Sequence, residues 1–337
     1  MVGRRRAVRV AALTVLLVLT GACGDGEGDG DGASGATATA GDDRPTIAFL
    51  SASASAASLD ALRDGLADLG YEDGETIELD VRVTDDEDEL PAIAEEFVAA
   101  EVDLIIGGGT KAIEAAKDAT TTIPIVMTNS GDPVGTGLVA DMAEPGGNIT
   151  GLTQASPELA PKRLELLKEA FPGLDEVVVL FNPDHPTTKL AVKELEASAP
   201  RLGVGLMVSP VQAEVSIERA IAEARAAGAE ALVVLRDPFT IAAARLIASS
   251  AEAAGLPAMY ETRNFIDDGG LMLYGPDLAD LYRRAAGYVD KILRGTDPGS
   301  LPIGQPTKFE LVISSSAAER LGVEIAESVR LRADLVD

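Results

Sequence analysis

The chain has 337 residues, with 55 acidic and 28 basic side chains, a formal charge of −27, 46% apolar residues and 4% aromatic ones. So acidic a balance excludes a nucleic-acid partner, which needs a basic face, and excludes adhesion to anionic lipid by charge alone. One cysteine, Cys23, leaves no intramolecular disulfide, so stability has to come from burying a core in one large or two medium domains.

Residues 1–22 have the order of an export signal. Arg4, Arg5, Arg6 and Arg9 precede the apolar run Ala11–Leu19, which is followed by the small residues Thr20-Gly21-Ala22. That run is shorter than the roughly 20 residues a permanent membrane helix needs. Cys23 directly after small residues resembles the lipobox of bacterial lipoproteins, whose thiol is acylated, with Thr20 standing where that pattern prefers Leu. Arg4-Arg5 leaves the twin-arginine export route open beside the general one. Residues 23–44 are then expected to be the acylated cysteine and a flexible acidic linker: residues 24–43 hold six acids, no base and no large apolar side chain.

From residue 46 onward, strand-like and helix-like runs alternate. Thr46–Leu50 reads as a buried strand, with Leu59, Leu62, Leu66 and Leu69 at helical spacing behind it. Thr76–Val83 alternates with period two, a half-exposed strand. A helix near 88–100 leads to the strand Val102–Ile106, Gly107-Gly108-Gly109-Thr110 opens another helix, and Ile123–Met127 closes the set. The order then recurs: strand Glu176–Phe181, helix 186–202, strand Val204–Ser209, and a helix through Ala220 leading into strand Glu230–Leu235. After residue 268 the strand Gly269–Tyr274, a long helix over about 277–294, the strand Lys308–Ile313 and a short helix at 315–321 fit neither repeat and are expected to add to both lobes. The expected fold class is α/β: two similar lobes, each a mostly parallel sheet flanked by helices. Residues 45–152 with about 275–305 would form the first lobe, and 153–274 with about 306–337 the second. The run Gly146–Gly151 is expected between them, in a hinge of about three crossings.

Several runs resemble a family of lipoproteins that serve ABC importers as substrate-binding proteins. They are Asp64–Gly74, Thr122–Val126, Asp132–Val139, Pro145–Gly151, Gly269–Gly275, Tyr288–Gly295, Leu301–Ile313, Ala318–Gly322 and Arg332–Asp334, in order over about residues 46–337. Ser314 and Ser315 stand where that family usually has Asn. The resemblance implies the type I periplasmic-binding fold and a small-molecule ligand, with aromatic-amino-acid binders among the relatives. It also implies ABC permease and ATPase partners, an extracytoplasmic location and membrane attachment through the lipid on Cys23. No cofactor and a monomer are expected.

Catalysis finds little support in the residues. The lone histidine, His185, sits in the turn-like Asn182-Pro-Asp-His-Pro186 and reads as a solvated loop residue, with no partners for a nucleophilic triad. Gly107–Thr110 lacks the spacing and lysine of a phosphate loop, and the acidic cluster Asp85–Glu89 reads as a solvated helix start rather than a metal site. A cleft is the better reading, because ligands in open α/β sheets collect at the carboxyl ends of strands. Those ends nominate Ser51, Ser55, Ser58, Gly109, Thr110, Asn129, Ser130 and Asp132 in the first lobe. In the second they nominate Asn182, Asp237, Tyr260 and Glu261. Asp237 is the expected direct polar contact. Scarce aromatics favour an amino acid over a sugar; the alternatives are a sensor lipoprotein signalling to a partner, a sugar-binding receptor of the same fold, and an α/β enzyme.

Overall fold

The computed structural model describes residues 44–337; the expected signal, Cys23 and all but the last residue of the linker lie outside the described residues. Among them no helix is long and apolar enough to cross a membrane.

The first sheet is wholly parallel. It contains β1 (Thr46–Ser51), β2 (Glu78–Val83), β3 (Leu104–Gly108), β4 (Ile125–Ser130) and β5 (Ile149–Thr153), in the order β2-β1-β3-β4-β5. Helices α1 (Ala56–Ala67), α2 (Leu90–Ala99) and α3 (Thr110–Ala119) connect the first four strands. Ile47–Leu50, Leu104–Ile106 and Ile125–Met127 are fully buried, which is why these strands read as continuous apolar runs. The edge strand β2 is half-exposed or exposed along its whole length, so its alternating sequence does not sort into one buried and one solvent-facing row.

The second lobe begins with α4 (Ser156–Ala170) and continues through β6 (Glu176–Phe181), α5 (Pro186–Leu202), β7 (Gly205–Pro210), α6 (Glu214–Ala226) and β8 (Ala231–Val234). After these come α7 (Pro238–Ala242), α8 (Ala244–Ala253), β9 (Ala258–Tyr260), α9 (Arg263–Asp267) and β10 (Met272–Pro276). The long helix α10 (Leu278–Leu293), β11 (Phe309–Ser314), α11 (Ser315–Leu321), α12 (Glu327–Arg330) and β12 (Asp334–Val336) complete the chain. The sheet order is β12-β11-β10-β9-β8-β6-β7. Its segment β7-β6-β8-β9-β10 repeats the order of the first sheet, so the two lobes share one topology. The antiparallel β11 and the strand β12 are additions to that repeat.

The late elements divide as their apolar faces dictate. Leu281, Tyr282, Ala285 and Val289 of α10 pack with Phe49, Leu62, Leu66 and Ile106, so this helix completes the core of the first lobe. The chain therefore passes between lobes at Gln154–Ala155, at Pro276–Asp277 and again ahead of β11. Leu152 bridges Gly304, which sets the third crossing beside the first.

Two expectations change. The first sheet does not end at Met127, because β5 adds a fifth strand. Gly151, at φ 126, lets β5 pass so near β4 that a Cβ would lie 2.3 Å from the Met127 carbonyl oxygen. The run Gly146–Gly151 is accordingly within the first lobe, and the crossing comes later, at Ala155, a non-glycine residue with φ 52.

Candidate functional site

A sheet of order 2-1-3-4-5 reverses direction between its first and third strands, and ligands bind at that switch point. Here the two switch points face each other. The loops after β1 and β3 supply Ala52, Ser53 and Gly108–Ala112; the loops after β6 and β8 supply His185 and Arg236–Pro238. Gln154, on the first crossing, closes the cavity from the side. The enclosed space is about 20 Å³, room for a water. The lobes touch around it: Thr110 Oγ1 lies 3.2 Å from Thr187 Oγ1 and also accepts from the Gly131 amide. A second chamber of about 230 Å³ opens alongside, between the start of α1 and the β9–α9 loop. Glu261 lines it, and Glu261 Oε1 accepts from the Arg236 amide, so the two chambers share a wall.

Local chemistry sets each nominated side chain. Ser51 Oγ donates to the Gly108 carbonyl and accepts from the Ser53 amide, tying the two switch-point loops of the first lobe together. Ser55 caps α1 by accepting from the Ser58 amide, and both serines line the larger chamber. Gly109 caps α3 at φ 95, a backbone state that favours glycine, and offers no side chain to the helix amides behind it. Asn129 accepts from Thr128 Oγ1, while the buried Ser130 Oγ has no partner; both lie beneath the first crossing, where Gln154 donates its amide to the Ser130 carbonyl. Asp132 accepts from the Gly135 amide and shapes a turn.

In the second lobe Asp237 lines the small cavity, but both its oxygens are engaged within that lobe. Oδ1 caps α7 through the Thr240 amide, and Oδ2 accepts from Asn182 Nδ2. Burial raises its pKa, and these bonds oppose the rise. Glu261, 3% exposed, accepts from Ser156 Oγ and pairs at 3.2 Å with Arg163, which is fully buried. Arg163 also donates to the carbonyls of Tyr274 and Ser156.

Three readings are corrected. Tyr260 is not in the cleft: it is 1% exposed and stacks on Phe265 in the core of the second lobe, because the short β9 ends with that side chain facing its helices. His185 is not a solvated loop residue. It is 6% exposed beside the cavity with Nδ1 unpartnered, and burial, reinforced by Lys111 and Arg236, pushes its pKa down to about 3. The acidic cluster is not wholly solvated, since Glu87 Oε1 is buried. Burial, and then the facing Asp237, raises Glu87 to about 6. Arg163 and Gln154 escaped the sequence reading, whereas Arg236 lies in the strand-end loop Arg236-Asp237 that the sequence points to. Ala160, Leu164 and Leu167 show helical spacing around Arg163, but Pro157 and Pro161 masked the helix.

The His185 shift has a measurable sign. A histidine held neutral by folding binds its proton only when unfolded, so its stabilising effect is present above pH 6.5 and lost as pH falls. Between about pH 7 and pH 5 the loss from His185 is roughly 2 kcal/mol, with Glu87 offsetting part of it by taking up a proton in the folded state. Urea unfolding should therefore show His185→Asn losing less stability over this range than the parent. Equal losses would mean the imidazole is not buried neutral.

With this geometry in place, comparison with known proteins is specific. The profile of the family described as "ABC transporter substrate binding protein" matches residues 46–337. A tyrosine-binding protein of Clostridioides difficile is 27% identical over 272 residues, 79% of this chain and 78% of that protein. Among solved structures, a conserved domain protein of Vibrio cholerae is 30% identical with a TM-score of 0.81, over 87% of this chain and 99% of that one. An ABC domain in complex with L-Trp from Streptococcus pneumonia is 26% identical, also with a TM-score of 0.81, over 87% of this chain and all of that one.

Proposed function

Since the chain belongs to the ABC transporter substrate-binding protein family, we propose that it is the extracytoplasmic, lipid-anchored receptor of an ABC import system and captures an amino acid between its two lobes. The observation that carries this reading is the opposition of the two switch points across one small polar cavity, with Thr110 and Gly131 meeting Thr187 from the other lobe. A two-lobed fold with three crossings closes by rotation of the lobes, and a ligand touching both favours the closed form by its difference in contacts between the two states. The relatives supply the ligand class, one being tyrosine-binding and one holding L-Trp. No turnover is part of this reading; the permease would sense the closed pair of faces.

Two measurements test it. In a thermal-shift screen of amino acids, sugars and nucleosides, an amino acid is expected to stabilise the protein; at 100 times its dissociation constant the gain is about 2.7 kcal/mol. Stabilisation only by sugars or nucleosides would refute the ligand class. Cys23→Ala should leave the protein exported but free of the membrane. Retention of the variant in salt-washed membranes would refute the lipid anchor, which by this reading requires two or more acyl chains on that residue.

A further inference from the structure

The two chambers of the cleft are lined by opposite chemistry. The small one is rich in unused donors. The amides at the start of α3 have no side-chain cap, and Arg236 Nε is buried without a hydrogen-bond partner. His185 Nδ1, also buried and unpartnered, donates when it carries the imidazole proton, while Lys111 pairs with Glu114. Its one carboxylate, Asp237, has both oxygens taken. Open helix amides next to a partly buried guanidinium form a receptor for an anion. The imidazole, 6% exposed and lining this chamber, is an independent polar group without a partner.

The large chamber has the reverse balance. Glu261, Asp267, Asp277 and Glu310 line it, against the single cation Arg263. Arg163 neutralises Glu261 and Arg263 pairs with Glu310, which leaves Asp267 and Asp277 as surplus negative charge. Thr262, 5% exposed and also lining this chamber, has its Oγ1 buried with no partner. Among the described residues no phenylalanine or tyrosine lines either chamber, and the one ring that does, the His185 imidazole, belongs to the small one, so the large chamber offers no aromatic face on which a ligand ring could stack.

We infer that the ligand lies across both chambers with its carboxylate at the α3–Arg236–His185 end and its ammonium groups in the acid-lined end, which makes a basic amino acid the preferred substrate. This rests on the amino-acid reading above and narrows it. The Arg236 amide donates to Glu261 Oε1 at the shared wall, so the donor-rich end and the acid-lined end adjoin and one ligand can reach both. The overall charge of −27 has the sign that draws a cation to the cleft.

Titration calorimetry of the full-length protein with L-lysine, L-arginine, L-norleucine, L-tryptophan and D-ribose decides the matter. Norleucine matches lysine without the terminal ammonium. Lysine or arginine should bind at least tenfold more tightly than norleucine or tryptophan, and Asp267→Asn or Thr262→Val should narrow the lysine-to-norleucine preference at least threefold. Two variants at separate positions, each checked for an unchanged melting profile, guard against misfolding. Tryptophan or norleucine binding as well as lysine would overturn the inference while leaving the amino-acid reading intact. Binding of ribose alone, or of no amino acid, would overturn both.

Discussion

Arg163→Met should destabilise the protein by about 3–5 kcal/mol, the largest effect expected from any single substitution in the cleft wall. The guanidinium is fully buried, and its charge is satisfied by Glu261 and by the carbonyls of Tyr274 and Ser156. Burial disfavours the charged form of Arg163, and Glu261 opposes that effect. Methionine fills much of the volume but strands a carboxylate that is 3% exposed, which is worse than never having buried the pair. Arg163→Met combined with Glu261→Met should therefore recover a large part of the loss. Denaturant unfolding of the parent and the two variants checks this, and a single mutant within about 1 kcal/mol of the parent would show that Glu261 reaches water.

Gly131→Val should weaken ligand binding while leaving the unliganded protein folded. Gly131 stands at the end of β4, and a Cβ there would lie 2.2 Å from Thr187 Cγ2 and 2.7 Å from Thr187 Oγ1, across the gap between lobes. Its backbone is not left-handed, so the cost of a side chain is steric and exists only when the lobes meet. Overpacking of this kind costs about 1–3 kcal/mol, equal to a roughly 5- to 150-fold loss of affinity for a ligand that needs the closed form. Calorimetry with the amino acid that stabilises the parent most measures the loss. Solution scattering should show the variant failing to compact, and Thr187→Ala should partly restore both. Parent-like affinity in Gly131→Val would mean that binding does not require this contact.

Much of the architecture was legible because it is written in local periodicity. The buried strands β1, β3, β6 and β8 announce themselves as apolar runs, and α5 begins at the proline and ends at the glycine expected of it. Strand ends nominated positions near the two chambers: Thr110 and Asp237 line the small one and Ser55, Ser58 and Glu261 the large one, whereas Ser51 and Asn182 line neither and hold the loops beside them. What those side chains do was not legible, because their partners come from distant segments. Asp237 is held by Asn182, 55 positions earlier, and Glu261 meets Ser156 across 105 positions. Tyr260 was misassigned because strand ends nominate a position, whereas the packing of α8 and α9 decides which way the ring turns. Arg163 was missed because an arginine in a proline-containing helix gives no sign that it will be fully buried.

The late helix α10 has a consequence for how the chain acquires its structure. The face of the first sheet that carries Phe49 and Ile106, together with Leu62 and Leu66 of α1, is covered by residues that come more than 170 positions after Ile106. A nascent chain cut at residue 270 would hold every strand of the first sheet and still lack its lid, so that lobe has no finished core until α10 has been made. Contacts of such long sequence separation slow folding, because their loop-closure entropy has to be met before burial repays it. A fragment spanning residues 44–270 should accordingly be protease-sensitive throughout its first half. Adding a peptide of residues 271–301 in trans should protect that half, with protection appearing at a rate that depends on peptide concentration.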